Sequence, residues 1–352
     1  MVSMMRIFCR SLLIFAAAMC CAAPVFAKAP PKKTPPKTKQ VTADAVEKVP
    51  AAAAKPASNK PDPAALKAIL RSAKAPNTAV GHVVDLDTGA VVFSLRGNRT
   101  VYPASVSKMF ATAAAMRALQ PKRPLRTVVS IARQAKKPGT ATTLAIVGSG
   151  DPSMTGKDLR KLAKRVAAAG VQQVRRLVID TTIFDNKIPA GFDEKQTDAS
   201  YRASVAGLQV NSGAVTVVVK ATRVGSKPTI ELKPAANAFV IVNEALTVKG
   251  RGKPLKVIAS GAGRRTKITV RGKFGIRRRQ IATRRRVHDP GYVAGEAFRA
   301  ALVEAGVKVA GKTQYRAAPK GLKTIASHRS RPLGELLKIC NQTSHNGFAE
   351  SF

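Results

Sequence analysis

Pro103-Ala104-Ser105-Val106-Ser107-Lys108 stands directly before a run in which Met109, Ala113, Met116 and Leu119 recur at helical spacing. Ser105 therefore falls at a helix N-terminus. Lys108, three residues on, shares its face, with Cβ atoms about 5–6 Å apart. Far downstream, 239 positions after Ser105, comes Ser344-His345-Asn346. The first motif is S-x-x-K and the second S-x-N, and what lies between them decides the architecture.

Working outward from Ser105, Thr127 to Val147 reads as two strands ending in the glycine-rich turn Gly148-Ser149-Gly150-Asp151-Pro152-Ser153. A phosphate-cradling loop is a poor reading of that turn, because no Gly-Lys-Ser/Thr follows. Asp158 to Ala169 has an amphipathic helical pattern stopped by Gly170, and Arg176 to Asp180 is a buried-strand run. From Ala206 to about Arg286 the pattern turns to β, with strands expected at 214–219, 229–232, 238–242, 255–259 and 267–270. Pro290 to Ala305 returns to helix with Gly306 as its stop, and Ser330 is the expected cap of a helix over Pro332 to Asn341. Mixed, then β-rich, then mixed again is the order that one domain inserted into another produces.

Upstream, Arg6 and Arg10 precede an apolar run from Ser11 to Ala23, and Val25-Phe26-Ala27 offers the small residues of a cleavage site. Residues 1–27 are read as a secretory signal peptide. The apolar run is 13 residues, where a membrane span needs about 20. Cys20 and Cys21 lack the small preceding residue that lipidation wants. Lys28 to about Pro63 is almost wholly Ala, Pro, Lys and Thr and reads as an extended tether. Ala64 to Ala73 has helical spacing. The runs 79–86 and 90–95 around Asp87-Thr88-Gly89 then predict a β-hairpin.

Length and composition set limits on the whole. At 352 residues with 45% apolar, the chain has material for about two or three domains with real cores. Removal of the leader leaves Cys340 alone, so no internal disulfide forms, and its spacing from Leu333, Leu336 and Leu337 marks it as a buried apolar residue. His82, His288, His328 and His345 are scattered without metal-ligand spacing, so neither a metal nor a cofactor is expected. The net charge of +42 attracts polyanions. Inside a cell that would suggest nucleic acid, but an exported chain meets anionic envelope polymers instead. The runs Arg175-Arg176, Arg264-Arg265, Arg277–Arg279 and Arg284–Arg286 lack interleaved aromatics and read as solvated rims of strand ends.

A serine hydroxyl is a weak nucleophile that needs a nearby base, and a lysine amine serves when it is unprotonated. Ser105 and Lys108 have the spacing for that, and the helix dipole favours negative charge developing at Ser105. The Ser105 N–H is a candidate oxyanion donor. Ser344 offers a hydroxyl for proton relay, and Asn346 an amide to hold Lys108 or a substrate backbone. Either motif alone recurs by chance; their order and separation carry the weight.

Further words surround them: Val84-Asp85-Leu86-Asp87-Thr88-Gly89, Val147-Gly148-Ser149-Gly150-Asp151-Pro152-Ser153, Ile179-Asp180 with Ile183-Phe184-Asp185, Leu208-Gln209-Val210-Asn211, and Asn341 through Glu350. With these the chain, over about 75–352, resembles the class C low-molecular-mass penicillin-binding proteins, the periplasmic D-alanyl-D-alanine carboxypeptidases/endopeptidases. The resemblance implies an α/β (α+β) fold, a transpeptidase-like domain with two inserted domains. Residues 64–125 and 317–352 are read as the catalytic domain, 126–205 and 287–316 as the mixed insertion, and 206–286 as the nested β-rich one. It implies Ser105 as the acylated nucleophile, Lys108 as its base, and Ser344 and Asn346 as the second catalytic element. It implies peptidoglycan peptides ending in D-Ala-D-Ala as substrates, β-lactams as covalent inhibitors, and a periplasmic location. The family's third motif, K-T-G, comes about a hundred residues after S-x-N, and this sequence ends at Phe352. Lys312-Thr313-Gln314 precedes Ser344, lacks the glycine, and reads as the turn after 307–309. A C-terminally truncated product with impaired turnover is therefore expected. The competing reading is a non-catalytic basic protein that keeps the fold and holds envelope polymers.

Overall fold

The computed structural model describes residues 62–72, 77–132, 138–185 and 197–352. The leader read at 1–27 and nearly all of the linker read at 28–63 lie outside the described residues. The chain divides into two compact units, one ending at Asn98 and one running from Arg99 to Phe352.

In the first unit, helix α1 (Pro63–Ser72) precedes an antiparallel pair, β1 (Gly81–Val84) and β2 (Val91–Leu95). The Asp85 carboxylate accepts the N–H groups of Asp87 and Thr88 and the Thr88 hydroxyl. This local competition with the strand ladder is what turns the chain, and it makes the predicted hairpin.

The second unit opens with a 3₁₀ turn, Ala104–Ser107, that runs into helix α2 (Lys108–Ala118). Strands β3 (Pro124–Ile131), β4 (Thr140–Ala141) and β5 (Leu144–Val147) follow, then helix α3 (Gly156–Ala168), β6 (Gln173–Val174) and β7 (Leu177–Asp180). Helix α3 starts at a capping box between Thr155 and Asp158 and buries Leu159, Leu162, Ala163 and Val166. Gly170 follows it at φ 84°, the left-handed stop that the sequence predicts.

The β-rich segment contains six strands, one more than the periodicity indicates: β8 (Ala214–Lys220), β9 (Thr229–Lys233), β10 (Phe239–Val248), β11 (Lys256–Ala262), β12 (Arg265–Gly275) and β13 (Gln280–Arg286). They form two three-stranded sheets, β10-β12-β11 and β13-β8-β9. The overlooked strand is the arginine run. Arg284 donates to the Asn211 carbonyl at 2.9 Å, and the half-buried Arg285 pairs with Asp198 at 3.1 Å. Arg264 is paired with Asp289 at 2.8 Å and lies over the rings of Tyr292 and Tyr315. These three arginines are ties within the fold, which corrects the reading of solvated rims for them; Arg175, Arg176, Arg265 and Arg277–Arg279 are exposed as that reading expects.

Helix α4 (Pro290–Glu304), capped by the Asp289 carboxylate, leads to β14 (Lys308–Val309), β15 (Gln314–Tyr315), β16 (Lys323–Pro332), helix α5 (Leu333–Thr343) and a short helix α6 (Asn346–Glu350). The central sheet has the order β15-β7-β5-β3-β16, parallel from β15 to β5 and antiparallel from β5 to β16. A second parallel ladder joins β14, β6 and β4. Helices α3 and α4 pack together, α3 over β16 and α4 over β7, around a core that includes Ile146, Ile179, Leu162 and Phe298.

Three details differ from the sequence reading. The pairing of Lys323–Pro332 with Pro124–Ile131 joins β16 to the mixed sheet, whereas the sequence groups it with the helices that follow. Ser330 lies inside β16, where its hydroxyl accepts the Leu125 N–H at 2.9 Å; α5 begins after Pro332 with no side-chain cap. Gln314 opens the edge strand β15 beside β7, so Lys312-Thr313-Gln314 leads into a strand instead of closing a turn.

Gly148 has a packing reason. A Cβ there would collide with the Gly207 carbonyl and the Leu208 nitrogen, and the Gly150 N–H bonds the same carbonyl at 2.7 Å. Because the colliding atoms are backbone, Gly148→Ala is expected to cost about 3 kcal/mol, the upper end of ordinary overpacking, measured by urea denaturation. An unchanged midpoint would show that the two segments do not approach this closely.

Candidate active site

Ala104 adopts the left-handed conformation at φ 45°, which costs a non-glycine residue about 1–2 kcal/mol. It tightens the chain into the 3₁₀ turn that presents Ser105. The Lys108 Nζ lies 2.9 Å from the Ser105 Oγ, to which it donates. Both residues are half-buried. The same contact, with the amine deprotonated, lets the hydroxyl proton pass to Nζ as the oxygen attacks a carbonyl.

Helix α2 is anchored along the face that carries Lys108, through its buried residues Thr112 and Ala115. Ala115 packs on Leu333 and Leu337 of α5. Asn341 Nδ2 donates to the Thr112 hydroxyl at 3.1 Å. Thr112 is one helical turn after Lys108, and Asn341 is three residues before Ser344, so this bond sets the two motifs beside each other. Cys340, at full burial in the next cluster, donates its thiol to the His345 carbonyl at 3.6 Å. Burial pushes the Cys340 thiol up, against the opposing pull of Lys108, as befits a structural residue.

Ser344 ends α5 in the left-handed conformation, φ 53°, and is exposed. His345 then caps α6, its Nδ1 accepting the Phe348 N–H at 3.4 Å. Burial, reinforced by the positive charges of Arg284 and Lys108, pulls the His345 pKa down. A neutral ring is what an accepting Nδ1 requires. Asn346 does not hold Lys108: its Nδ2 donates to the Tyr201 carbonyl at 2.8 Å. The far end of α6 is tied by Gln209, whose amide donates to the buried Ser351 hydroxyl at 3.0 Å. The segment 201–209 therefore clamps the S-x-N element at both ends.

The sequence reading thus named all four motif residues but missed their supports, Thr112, Asn341, Gln209 and Tyr201. Gln209 and Asn341 lie within the quoted words around the motifs, which was the available signal. Tyr201 contributes only a backbone carbonyl, which carries no residue-type signature.

The chain from 63 to 352 matches the model of the D-Ala-D-Ala carboxypeptidase 3 (S13) family. It is 30% identical over 279 residues to a D-alanyl-D-alanine carboxypeptidase of Actinomadura sp. strain R39, covering 76% of this chain and 52% of that protein. It is 26% identical over 186 residues to carboxypeptidase DacB of Mycolicibacterium smegmatis, covering 49% of this chain and 39% of that one. It therefore spans about half the length, or less, of these curated relatives. In structure it is similar to penicillin binding protein 4 (dacB) from Haemophilus influenzae, with a TM-score of 0.64 at 18% identity over 78% of this chain and 61% of that one. The same protein complexed with a β-lactam matches at a TM-score of 0.58. The penicillin-binding/β-lactamase-like fold is thereby shown, and the chain belongs to the D-Ala-D-Ala carboxypeptidase 3 (S13) family.

Proposed function

We propose that this chain is a serine-type D-Ala-D-Ala carboxypeptidase and DD-endopeptidase that acts on peptidoglycan stem peptides in the periplasm through a Ser105 acyl-enzyme. The observation that carries the reading is the 2.9 Å contact between Lys108 Nζ and Ser105 Oγ at the start of α2, in a chain of this family. Ser105 Oγ attacks the carbonyl between the two D-alanines while its proton passes to Lys108. The terminal D-alanine leaves as a protonated amine, and water then hydrolyses the Ser105 ester. Ser344, beside Asn346 at the start of α6, is the group for relaying the proton to the leaving nitrogen. Its hydroxyl is exposed on the loop between α5 and α6, where it can meet a bound peptide. Arg6 and Arg10, followed by the apolar run 11–23, support export.

A β-lactam mimics the acyl donor and traps the ester. Incubation of the chain with a fluorescent penicillin is expected to give a covalent adduct, and peptide mass mapping to place it on Ser105. No adduct, or one on another residue, would overturn the proposal and favour the non-catalytic envelope-binding reading.

A further inference from the structure

On the second unit, two cavities of about 680 and 570 Å³ share Asp158, His328 and Arg329, so they form one groove along β16. Each is within the size range of ligand pockets. One end reaches Ile339 of α5 and Phe348 of α6, two residues past Asn346. The other end lies between β16 and α3, at Lys161 and Arg165.

The walls are basic. Arg284, Arg329 and Arg331 line the larger cavity and are exposed, and Lys161 and Arg165 line the smaller; Arg284 and Arg165 each give one N–H to a backbone carbonyl, of Asn211 and Ser327, bonds that leave their charge in place. Of the carboxylates nearby, Asp158 lies 4.0 Å from the exposed Lys161 in an i,i+3 pair, a contact too weak to withhold that amine from a ligand. Asp158 is taken up by the N–H and hydroxyl of Thr155; burial works to raise its pKa, but those bonds with the charges of His328 and Lys161 hold it below the usual range. The buried Asp151 accepts the N–H and hydroxyl of Ser153 and lies 3.4 Å from His328 Nε2. Glu335 is 4.0 Å from Arg331 in an exposed pair, too weak to withhold that guanidinium from a ligand. The groove therefore keeps a surplus of positive charge along its length, and for Arg329 the described residues show no ion-pair partner.

We propose that this groove holds a second peptidoglycan strand, engaging the free carboxylates of its stem peptides, while a first peptide occupies the Ser105 site. The inference rests on the reading of the chain as a peptidoglycan-acting protein. A linear glycan bearing carboxylated peptides fits the elongated shape, and guanidinium groups suit carboxylates through bidentate bonds. The groove's end at α6 places such a strand next to the S-x-N element, where a cross-link between two strands would have to be presented.

The test is fluorescence anisotropy of the purified chain with fluorescein-labelled, uncrosslinked glycan strands carrying stem peptides, at near-physiological salt. Arg329→Glu combined with Arg331→Glu is expected to weaken binding by about tenfold. The same charge change at the exposed β12 residues, Lys267→Glu with Lys273→Glu, is expected to leave it within about twofold, an effect no larger than a remote screened charge exerts. Strands with their carboxylates converted to methylamides are expected to lose most of their affinity. The proposal is overturned if the groove variant binds like the parent chain, if the β12 control loses as much, or if methylamidated strands bind equally well. Penicillin labelling of the groove variant, expected unchanged, reports separately on folding and on the Ser105 reading.

Discussion

Ser105→Ala is expected to abolish covalent labelling by penicillin, and Lys108→Ala to slow it by about 10²–10⁴-fold, the range for loss of a positioned general base. Both effects follow from the 2.9 Å contact between Lys108 Nζ and Ser105 Oγ. Among the described residues, Lys108 is the side chain that hydrogen-bonds the Ser105 hydroxyl. The buried Cys340 faces its own loop, and the His345 Nδ1 is occupied by the Phe348 N–H. Lys108→Arg separates two roles, because a guanidinium keeps the positive charge but does not give up its proton near neutrality. If Lys108 acts as a base, the arginine variant labels as slowly as the alanine one. Recovery of the rate with arginine would show that charge alone matters and would sink the proton-transfer role. The time course of the fluorescent band is the measurement.

Phe298→Ala is expected to destabilise the second unit by about 3–5 kcal/mol, the cost of emptying a fully buried aromatic site. Phe298 is 0% exposed, on helix α4, which packs over β7 and against α3. Those elements are themselves in regular structure with paired backbones, so the space left by the ring has no loose segment to fill it. Against a total of about 5–15 kcal/mol for an ordinary domain, that loss removes a large part of the margin. Urea denaturation followed by far-UV circular dichroism reads it, with Phe298→Leu as the smaller truncation that should lose less. A change below about 1 kcal/mol for the alanine variant would mean that the site collapses and that α4 is not held as described.

The elements that periodicity found are those whose environment repeats along the chain. Helix α3 alternates Leu159, Leu162, Ala163 and Val166 with exposed basic residues because one face meets the sheet. Strand β7 is buried along its whole length and apolar from Leu177 to Ile179, because neighbours cover both of its sides. Strand β13 escaped because its long arginines carry charge at the tip and are therefore scored as solvent, although Arg284 and Arg285 bond Asn211 and Asp198. A guanidinium can satisfy buried carbonyls and carboxylates while its stem covers apolar surface. Ser330 was misplaced for a related reason. A serine before a proline and a leucine looks like a helix cap, and only the pairing of β16 with β3 shows its hydroxyl receiving the Leu125 N–H.

Ser105 and Lys108 needed no tertiary information, because three residues of helix suffice to bring their side chains together. Ser344 and Asn346 did. Their relation to Ser105 depends on the Asn341–Thr112 bond and on the clamp from Tyr201 and Gln209, contacts that join residues 229, 145 and 142 positions apart. The sequence by itself determined the local half of the site, the hairpin, the β-rich interlude and the family. Only the tertiary structure decided that β16 completes the mixed sheet, that Gly148 and Gly207 must touch, and that Asn346 turns to a backbone carbonyl and not to Lys108. The reason is one of range: propensity and periodicity act over a few residues, whereas these contacts are chosen by which backbone groups are left to be satisfied once distant segments have packed.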